Sequence, residues 1–393
     1  MADPRLYLPP ELTEASIREL IQLLKLPKPD DIKKIGTIAE YHAIYDITFP
    51  PSVTFQVQSA VLPEPDNSIS LILRVSGRHL PLIKTLNEVA AMSWVRANTK
   101  IPIPSIIAFD ASENNPIGHE FILLEKAPGV SVDSIYSSLD DAKLEYLVSQ
   151  LLEYLIDLHR YEWGHAGGLG IDHTGSVVPG RLVVETFWQA PEISGYWGSE
   201  ETVDSLNPCG PYKTYTEYVK AHMKQYIRNI QKHNSLEWMR DMTPRLKAFN
   251  QMLDLRAEEL NDTKYILTHR DLHFGNIMCN PDTTQITAVI DWEFAAVLPL
   301  PLWSPGGGFL WNGQNSPAGL AERRRLYTVF EKLCGERYPA LLRDFETRPP
   351  HDAIKNVLNY VRAIVEVCPR GEKADAARGW RETVESALSK LGV

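Results

Sequence analysis

The stretch Tyr265-Ile266-Leu267-Thr268-His269-Arg270-Asp271-Leu272-His273-Phe274-Gly275-Asn276, with Asp291-Trp292-Glu293 a short way downstream, decides the reading of this chain. Tyr265 to Thr268 has the β-branched and aromatic character of a short strand, and it runs straight into a polar loop. The apolar triplet Ile277-Met278-Cys279 follows, then the turn-forming Asn280-Pro281-Asp282, then a second strand-like run from Ile286 to Ile290. A hairpin of that size brings Asp291 back to the neighbourhood of Asn276. Two oxygen-bearing side chains thereby converge, with Asp271 at the other end of the same loop.

The spacing H-R-D-x-x-x-x-N is that of a phosphoryl-transfer catalytic loop. Magnesium takes hard oxygen ligands and is commonly held by one or two protein groups plus phosphates, which suits Asn276 and Asp291. Asp271 would then accept the proton of an attacking hydroxyl, and positioning with charge neutralisation would supply most of the rate. A nucleotide also needs a cation on its phosphates. Arg74 stands in the otherwise apolar Leu71-Ile72-Leu73-Arg74-Val75, and Glu88, in a helix that opens Leu86-Asn87-Glu88, is the expected partner of such a buried charge.

Outward from this centre the chain divides by pattern. Residues 13–26 place Ile17, Leu20, Ile21 and Leu24 at helical spacing with Thr13 as cap, which predicts a peripheral helix within an N-terminal extension over residues 1–29. Residues 30–125 read as a nucleotide-binding lobe: β-type runs Ile44–Phe49, Val53–Val61, Ile69–Val75 and Glu120–Glu125, with one helix over Thr85–Arg96. The breakers in Glu125-Lys126-Ala127-Pro128-Gly129 mark the boundary. Residues 126–393 read as a mainly helical lobe built on the stripe Leu144, Leu147, Val148, Leu151, Leu152, Leu155 and Leu158. An aromatic and Gly-rich insertion at about 164–211 and a Pro, Gly and Trp-rich loop from Leu298 to Gly319 interrupt it. The expected fold class is α+β and bilobal, with a small β-rich N-lobe and a larger helical C-lobe.

With 393 residues, 44% of them hydrophobic, the chain can bury a sizeable core. A net charge of −10 gives no basic footprint for nucleic acid. Cys209, Cys279, Cys334 and Cys368 lack metal or disulfide spacing and are expected as reduced thiols. No signal-like start and no run of membrane-spanning length is present, so the expected setting is cytoplasmic, without membrane or nucleic-acid partners. About protein partners the sequence is silent.

Arg74, Glu88, Glu125, the H-R-D-L-H-F-G-N loop and I-D-W-E in that order resemble the aminoglycoside phosphotransferase and choline kinase-like superfamily, over roughly Ile35 to the C-terminus. The likeness is greatest to fungal-type phosphotransferase enzyme family proteins, through Asn87-Glu-Val-Ala-Ala91, Phe121-Ile-Leu-Leu-Glu-Lys-Ala-Pro-Gly129, Gly210-Pro-Tyr-Lys-Thr214 and Asp291-Trp-Glu-Phe294. The resemblance implies a protein-kinase-like fold using ATP and Mg2+, with nucleotide between the lobes and a small-molecule hydroxyl acceptor on the helical lobe. It matches Asp271 to the base, Asn276 and Asp291 to the metal ligands, and Glu88 to the helix partner of the phosphate-binding cation. Arg74 stands where many members have Lys, and the two are not interchangeable. Gly36, Glu125 and Arg74 complete the expected nucleotide contacts, although Ile35-Gly-Thr-Ile-Ala-Glu-Tyr-His42 lacks the G-x-G-x-x-G spacing. Asp291-Trp-Glu in place of D-F-G, with no A-P-E, sets an ordinary protein kinase aside.

Several residues keep two readings. His269 is expected to orient the loop, and Arg270 to form a local ion pair. Trp292, Glu293 and Trp303 are acceptor-site candidates. Trp188, Tyr196, Trp197, Trp303 and Trp311 either line that pocket or are core for long loops. The whole reading is an ATP-dependent small-molecule kinase; its alternative is a pseudokinase-type nucleotide-binding or interaction module without turnover.

Overall fold

Along Leu71–Ser76 successive side chains must point to opposite faces, and both faces are covered. In the computed structural model, which describes residues 4–36, 40–50, 68–303, 316–346 and 348–393, this segment belongs to a five-stranded antiparallel sheet. Its strands are β1 (Asp31–Ile35), β2 (His42–Phe49), β3 (Ile69–Ser76), β4 (Ile106–Asp110) and β5 (Phe121–Glu125), in the order β1-β2-β3-β5-β4. Leu71, Leu73 and Val75 share one core with Ile17, Leu20 and Ile21 of helix α1 (Glu14–Leu23). Each of those three α1 side chains contributes roughly 1.5–3 kcal/mol by leaving water. Thr13 caps the helix, its hydroxyl accepting from the Ser16 N–H at 3.2 Å. Ile72 and Arg74 point the other way, towards helix α2 (Ile83–Asn98) and the second lobe.

The turn between the lobes is fixed by Gly129. Its φ is +95°, and a Cβ there would come within 2.2 Å of the Cys279 carbonyl oxygen, so only glycine lets the chain pass. Immediately beyond, β6 (Val130–Ser131) pairs with β10 (Ile277–Cys279), which in turn pairs with β11 (Ile286–Val289). The hairpin inferred from sequence is therefore present, and the inter-lobe turn is stitched to it.

Helix Asp141–His159 runs through the second lobe with Leu144, Leu147, Val148, Leu151, Leu152, Leu155 and Leu158 all buried. Helix Pro317–Arg337 packs on it, and helices Tyr215–Lys232, Thr243–Leu255, Pro349–Val367 and Ala374–Lys390 complete the lobe. Strand β9 (Tyr265–Thr268) delivers the His269 loop and is held by β12 (Ala296–Pro299).

Three elements differ from the sequence reading. β1 and β4 were not anticipated, since Lys33, Lys34 and Asp110 break their apolar pattern and both are edge strands, where charge is favoured. The stretch 164–211 is more ordered than a loop: it holds the hairpin β7 (Gly168–Ile171) with β8 (Val177–Gly180) and short helices at Ala190–Tyr196 and Val203–Leu206. The segment expected as a Val53–Val61 strand, and Trp311, lie outside the described residues. All four cysteines are free.

Candidate active site

Backbone pairing sets the site's geometry. Ile277 faces Val289 across β10 and β11, and the Ile290 N–H donates to the Asn276 carbonyl at 3.0 Å, so the next residue, Asp291, emerges beside Asn276. The Asn276 amide reaches back along its own loop, donating to the Asp271 backbone carbonyl at 2.9 Å and to its carboxylate at 3.3 Å. His269 braces both ends: its Nε2 lies 2.8 Å from the Ile290 carbonyl and its Nδ1 accepts from the Asp271 N–H at 3.3 Å. That assigns the Nε2–H tautomer, and burial lowers its pKa to about 4, so the imidazole is neutral. Arg270 and Asp291 adopt positive φ values of 71° and 69°. Left-handed backbone at two non-glycine positions costs energy and is the kind of strain that gathers at functional sites.

Asp271 keeps about a third of its side-chain surface open. Burial of the remainder, then the neighbouring Asp291 and Glu185 carboxylates, raise its pKa to about 7. Asp291 moves the opposite way: burial opposes its charge, but the Arg74 guanidinium beside it holds the carboxyl below the usual range.

Behind these residues lies a buried charge cluster. Arg74 bonds Glu88 through Nη1, and its Nη2 donates to Asp291 Oδ1 at 2.5 Å. Lys84 donates to Glu293 at 2.6 Å. His42 lies between the pairs, its Nδ1 3.1 Å from Arg74 Nη2 and its Nε2 3.0 Å from Lys84 Nζ. Burial, with both cations adjacent, drives its pKa well down, so it counts as neutral. Two cations thus face three carboxylates. Burial raises Glu88, and raises Glu293 to about 8 despite Lys84, while the carboxylates outweigh burial and hold Arg74 above its ordinary value. Glu88 Oε2 and Arg74 Nε are buried with no hydrogen-bond partner among the described residues.

Helix α2 supplies much of this cluster from a single face. Lys84, Asn87 and Glu88 are three and four residues apart, so they project together. The fully buried Asn87 donates to the Glu293 and Ala295 carbonyls at 3.0 and 2.9 Å, and its Oδ1 accepts from the Leu169 N–H at 2.7 Å. It thereby ties α2 to the segment after Asp291 and to β7. Sequence reading missed Lys84 and His42 and gave Asn87 no role. The available signal was a run of polar residues on a helix face flanked by small apolar ones.

The Arg74–Glu88 pair expected from sequence is formed, and Asn276, Asp271 and Asp291 are brought together. Of the acceptor-site candidates, Trp292 and Glu293 are buried and Trp303 sits beyond the far end of β9. Trp292 is 1% exposed, packs on the His269 ring at 4.6 Å between centroids, and donates to the Val289 carbonyl. Glu293 is buried against Lys84. Trp303 follows β12, whose final pair Pro299–Tyr265 lies at the end of β9 away from the His269 loop, and it packs near His159 and Phe345. Trp188 forms a separate small core with Ile193 and Leu206, Tyr196 and Trp197 packing against it, and Arg370 lies 3.9 Å over the Trp188 ring. These aromatics serve packing. Arg270 forms no ion pair among the described residues; its Nη1 donates to the Val183 carbonyl at 2.9 Å. Glu125 closes β5 with its carboxylate accepting from the Ser105 hydroxyl at 2.8 Å. Gly36 is exposed, and a Cβ there would meet nothing within 4 Å; residues 37–39 beyond it lie outside the described set.

A β-rich lobe stitched to a helical one, with an Asp, Asn and Asp constellation at the junction, defines a kinase-like phosphotransferase architecture. The solved structure of ADP-bound aminoglycoside phosphotransferase APH(2'')-Ib has this fold, with a TM-score of 0.50 at 12% identity over 97% of this chain and 99% of that one. A protein of the same described class from Ralstonia eutropha gives a TM-score of 0.50 at 10% identity, with the same coverage. The chain belongs to the phosphotransferase enzyme family, whose model matches residues 60–300. Among curated proteins it is 24% identical over 296 residues to a subtelomeric hrmA-associated cluster protein of Aspergillus fumigatus, covering 63% of this chain and 57% of that protein. It is 22% identical over 301 residues to a clavilactone A biosynthesis cluster protein of Ampulloclitocybe clavipes, covering 74% and 68%. The chain thus spans little over half the length of the first of these relatives. Among the described residues no helix is long and apolar enough to cross a membrane.

Proposed function

We propose that this chain transfers the γ-phosphate of ATP to a hydroxyl of a small molecule, with Asp271 as the base and Mg2+ held by Asn276 and Asp291. The observation that carries this reading is the convergence of Asp271, Asn276 and Asp291 with the Arg74–Glu88 pair at one junction. The donor set suits the ion: Asn276 and Asp291 offer hard oxygens, and among the described residues Glu88 Oε2, buried behind them, has no hydrogen-bond partner. Bound there, Mg2+ would neutralise phosphate charge. The chain's own residues do the rest. Asp271, with its pKa near 7, is poised to take a hydroxyl proton at neutral pH. His269 and Asn276 hold its backbone in place. Arg74, kept charged by Glu88, supplies the phosphate-facing cation once it shares or releases Asp291. Within this reading the enzyme works in the cytosol, and four free cysteines accord with a reducing compartment.

A second reading, a nucleotide-binding or interaction module without turnover, draws on the Arg74 bond that occupies one Asp291 oxygen. Turnover separates the two. In an ATP-consumption screen with hydroxylated small molecules, Asp271→Asn should lower kcat by roughly 10²–10⁴ while remaining folded. Full activity in folded Asp271→Asn or Asp291→Ala would remove the assignment, and nucleotide binding without any consumption would favour the second reading.

A further inference from the structure

Arg270 immediately precedes Asp271, and its guanidinium is only partly spent. Among the described residues its one hydrogen bond runs to the Val183 carbonyl and no carboxylate bonds it, Glu185 acting on it only through space. A guanidinium carries five N–H donors, and withdrawing it from bulk water with most of them unused is unfavourable unless something completes the set.

A second guanidinium is moored on the same short turn. Arg362, from helix Pro349–Val367, donates through Nη1 to the Thr186 hydroxyl at 2.8 Å and lies 3.5 Å from Glu366 on its own helix. The turn between the two moorings, Val183 to Thr186, is closed by the Phe187 N–H donating to the Val184 carbonyl at 3.0 Å. Tyr218, from helix Tyr215–Lys232, is within electrostatic reach of both arginines, and its hydroxyl makes no hydrogen bond among the described residues. Glu185, on the same turn, makes no side-chain hydrogen bond among the described residues; it faces both arginines electrostatically and is close enough to Asp271 to raise its pKa. Two like charges held near each other beside an unbonded hydroxyl and next to the proposed base are poorly explained as packing. They are what a bidentate site for a carboxylate or phosphate requires.

We infer that Arg270 and Arg362 form the anion-binding end of the acceptor site, so that the molecule phosphorylated carries a carboxylate or phosphate group besides its hydroxyl. This rests on the phosphotransfer reading above and names the acceptor class it leaves open. Glu185, facing the same space, accepts from a second hydroxyl or an ammonium group of the same ligand. Arg362 is the lesser contributor because Glu366 already neutralises part of its charge.

The test uses matched pairs in an ATP-consumption assay with the full chain: hydroxy acids against their primary amides, and sugar phosphates against the parent sugars. The expected result is turnover confined to one anionic series, at least tenfold better in kcat/KM than its neutral partners; which series responds identifies the anion. Arg270→Gln should raise KM for that acceptor at least tenfold, with kcat changed far less, and collapse the preference for the anion. Arg362→Gln should do the same more weakly, and it serves as the second probe should Arg270→Gln fail to fold. Neutral or cationic acceptors turned over as well as anionic ones, a preference surviving in both variants, or no turnover of either anionic series by protein that binds Mg·ATP would each overturn the inference. Absence of any Mg·ATP binding would instead defeat the phosphotransfer reading, and this inference with it.

Discussion

If Asp271 is the base of the proposed transfer, its pH dependence in catalysis and in stability should run in opposite senses. As a base it must be ionised, so with a pKa of about 7 in the folded protein kcat/KM should rise with pH through that value and level off above it. Stability moves the other way. The folded pKa lies above the ordinary aspartate value of 3.8, so the native state binds the proton more tightly than the unfolded chain does. The contribution is full below about pH 4 and is lost as pH rises through about 7. Unscreened, a shift of that size corresponds to about 4 kcal/mol, and the open third of the side chain reduces it to on the order of 1–2 kcal/mol. Asp271→Asn should therefore stabilise the protein by about that much at pH 8 and by almost nothing at pH 4. Denaturant melts at the two pH values read this directly; an equal effect at both would show that Asp271 titrates normally.

Helix α2 acts as one element in three directions, and Asn87 is where they meet. Its neighbours Lys84 and Glu88 spend their charges on Glu293 and Arg74, while Asn87 satisfies three backbone groups by itself. Asn87→Ala leaves two carbonyls and one N–H unpaired in a site with no exposure, at about 1–3 kcal/mol for each group that water cannot reach. A total loss of about 3 kcal/mol is expected, with Tm falling by several degrees. Activity should fall beyond what reduced stability explains, because the same bonds hold the backbone just after Asp291. A variant of unchanged Tm would mean that water replaces the amide, and Asn87 would lose its positioning role. The sequence showed this helix but not its function. Glu88 was legible because a lone Arg on an apolar strand requires a partner, whereas Asn87 and Lys84 bond to positions more than two hundred residues away, a pairing no local pattern encodes.

At the scale of the molecule, local patterns were legible and long-range placements were not. The His269 loop and the β10–β11 hairpin could be read because turn chemistry and strand length constrain each other over a few residues. Trp292, Glu293 and Trp303 read as acceptor candidates from nearness in sequence, which carries no direction. β12 runs back along β9 away from the His269 loop, and Trp292 and Glu293 turn inward. Nucleotide linkage tests whether the junction works as one site. A ligand at a hundred times its Kd stabilises the native state by about 2.7 kcal/mol, a few degrees in Tm for a protein of this size. Mg·ATP should give that shift, and ATP with a chelator a smaller one. In Asp291→Asn the metal-dependent increment should vanish. The nucleotide-only shift should persist or grow, because Arg74 is released from its bond to Asp291 while Glu88 still holds it charged. A metal increment of wild-type size in Asp291→Asn would move the metal site away from Asp291, and no shift at millimolar nucleotide in the wild type would remove nucleotide from the junction altogether.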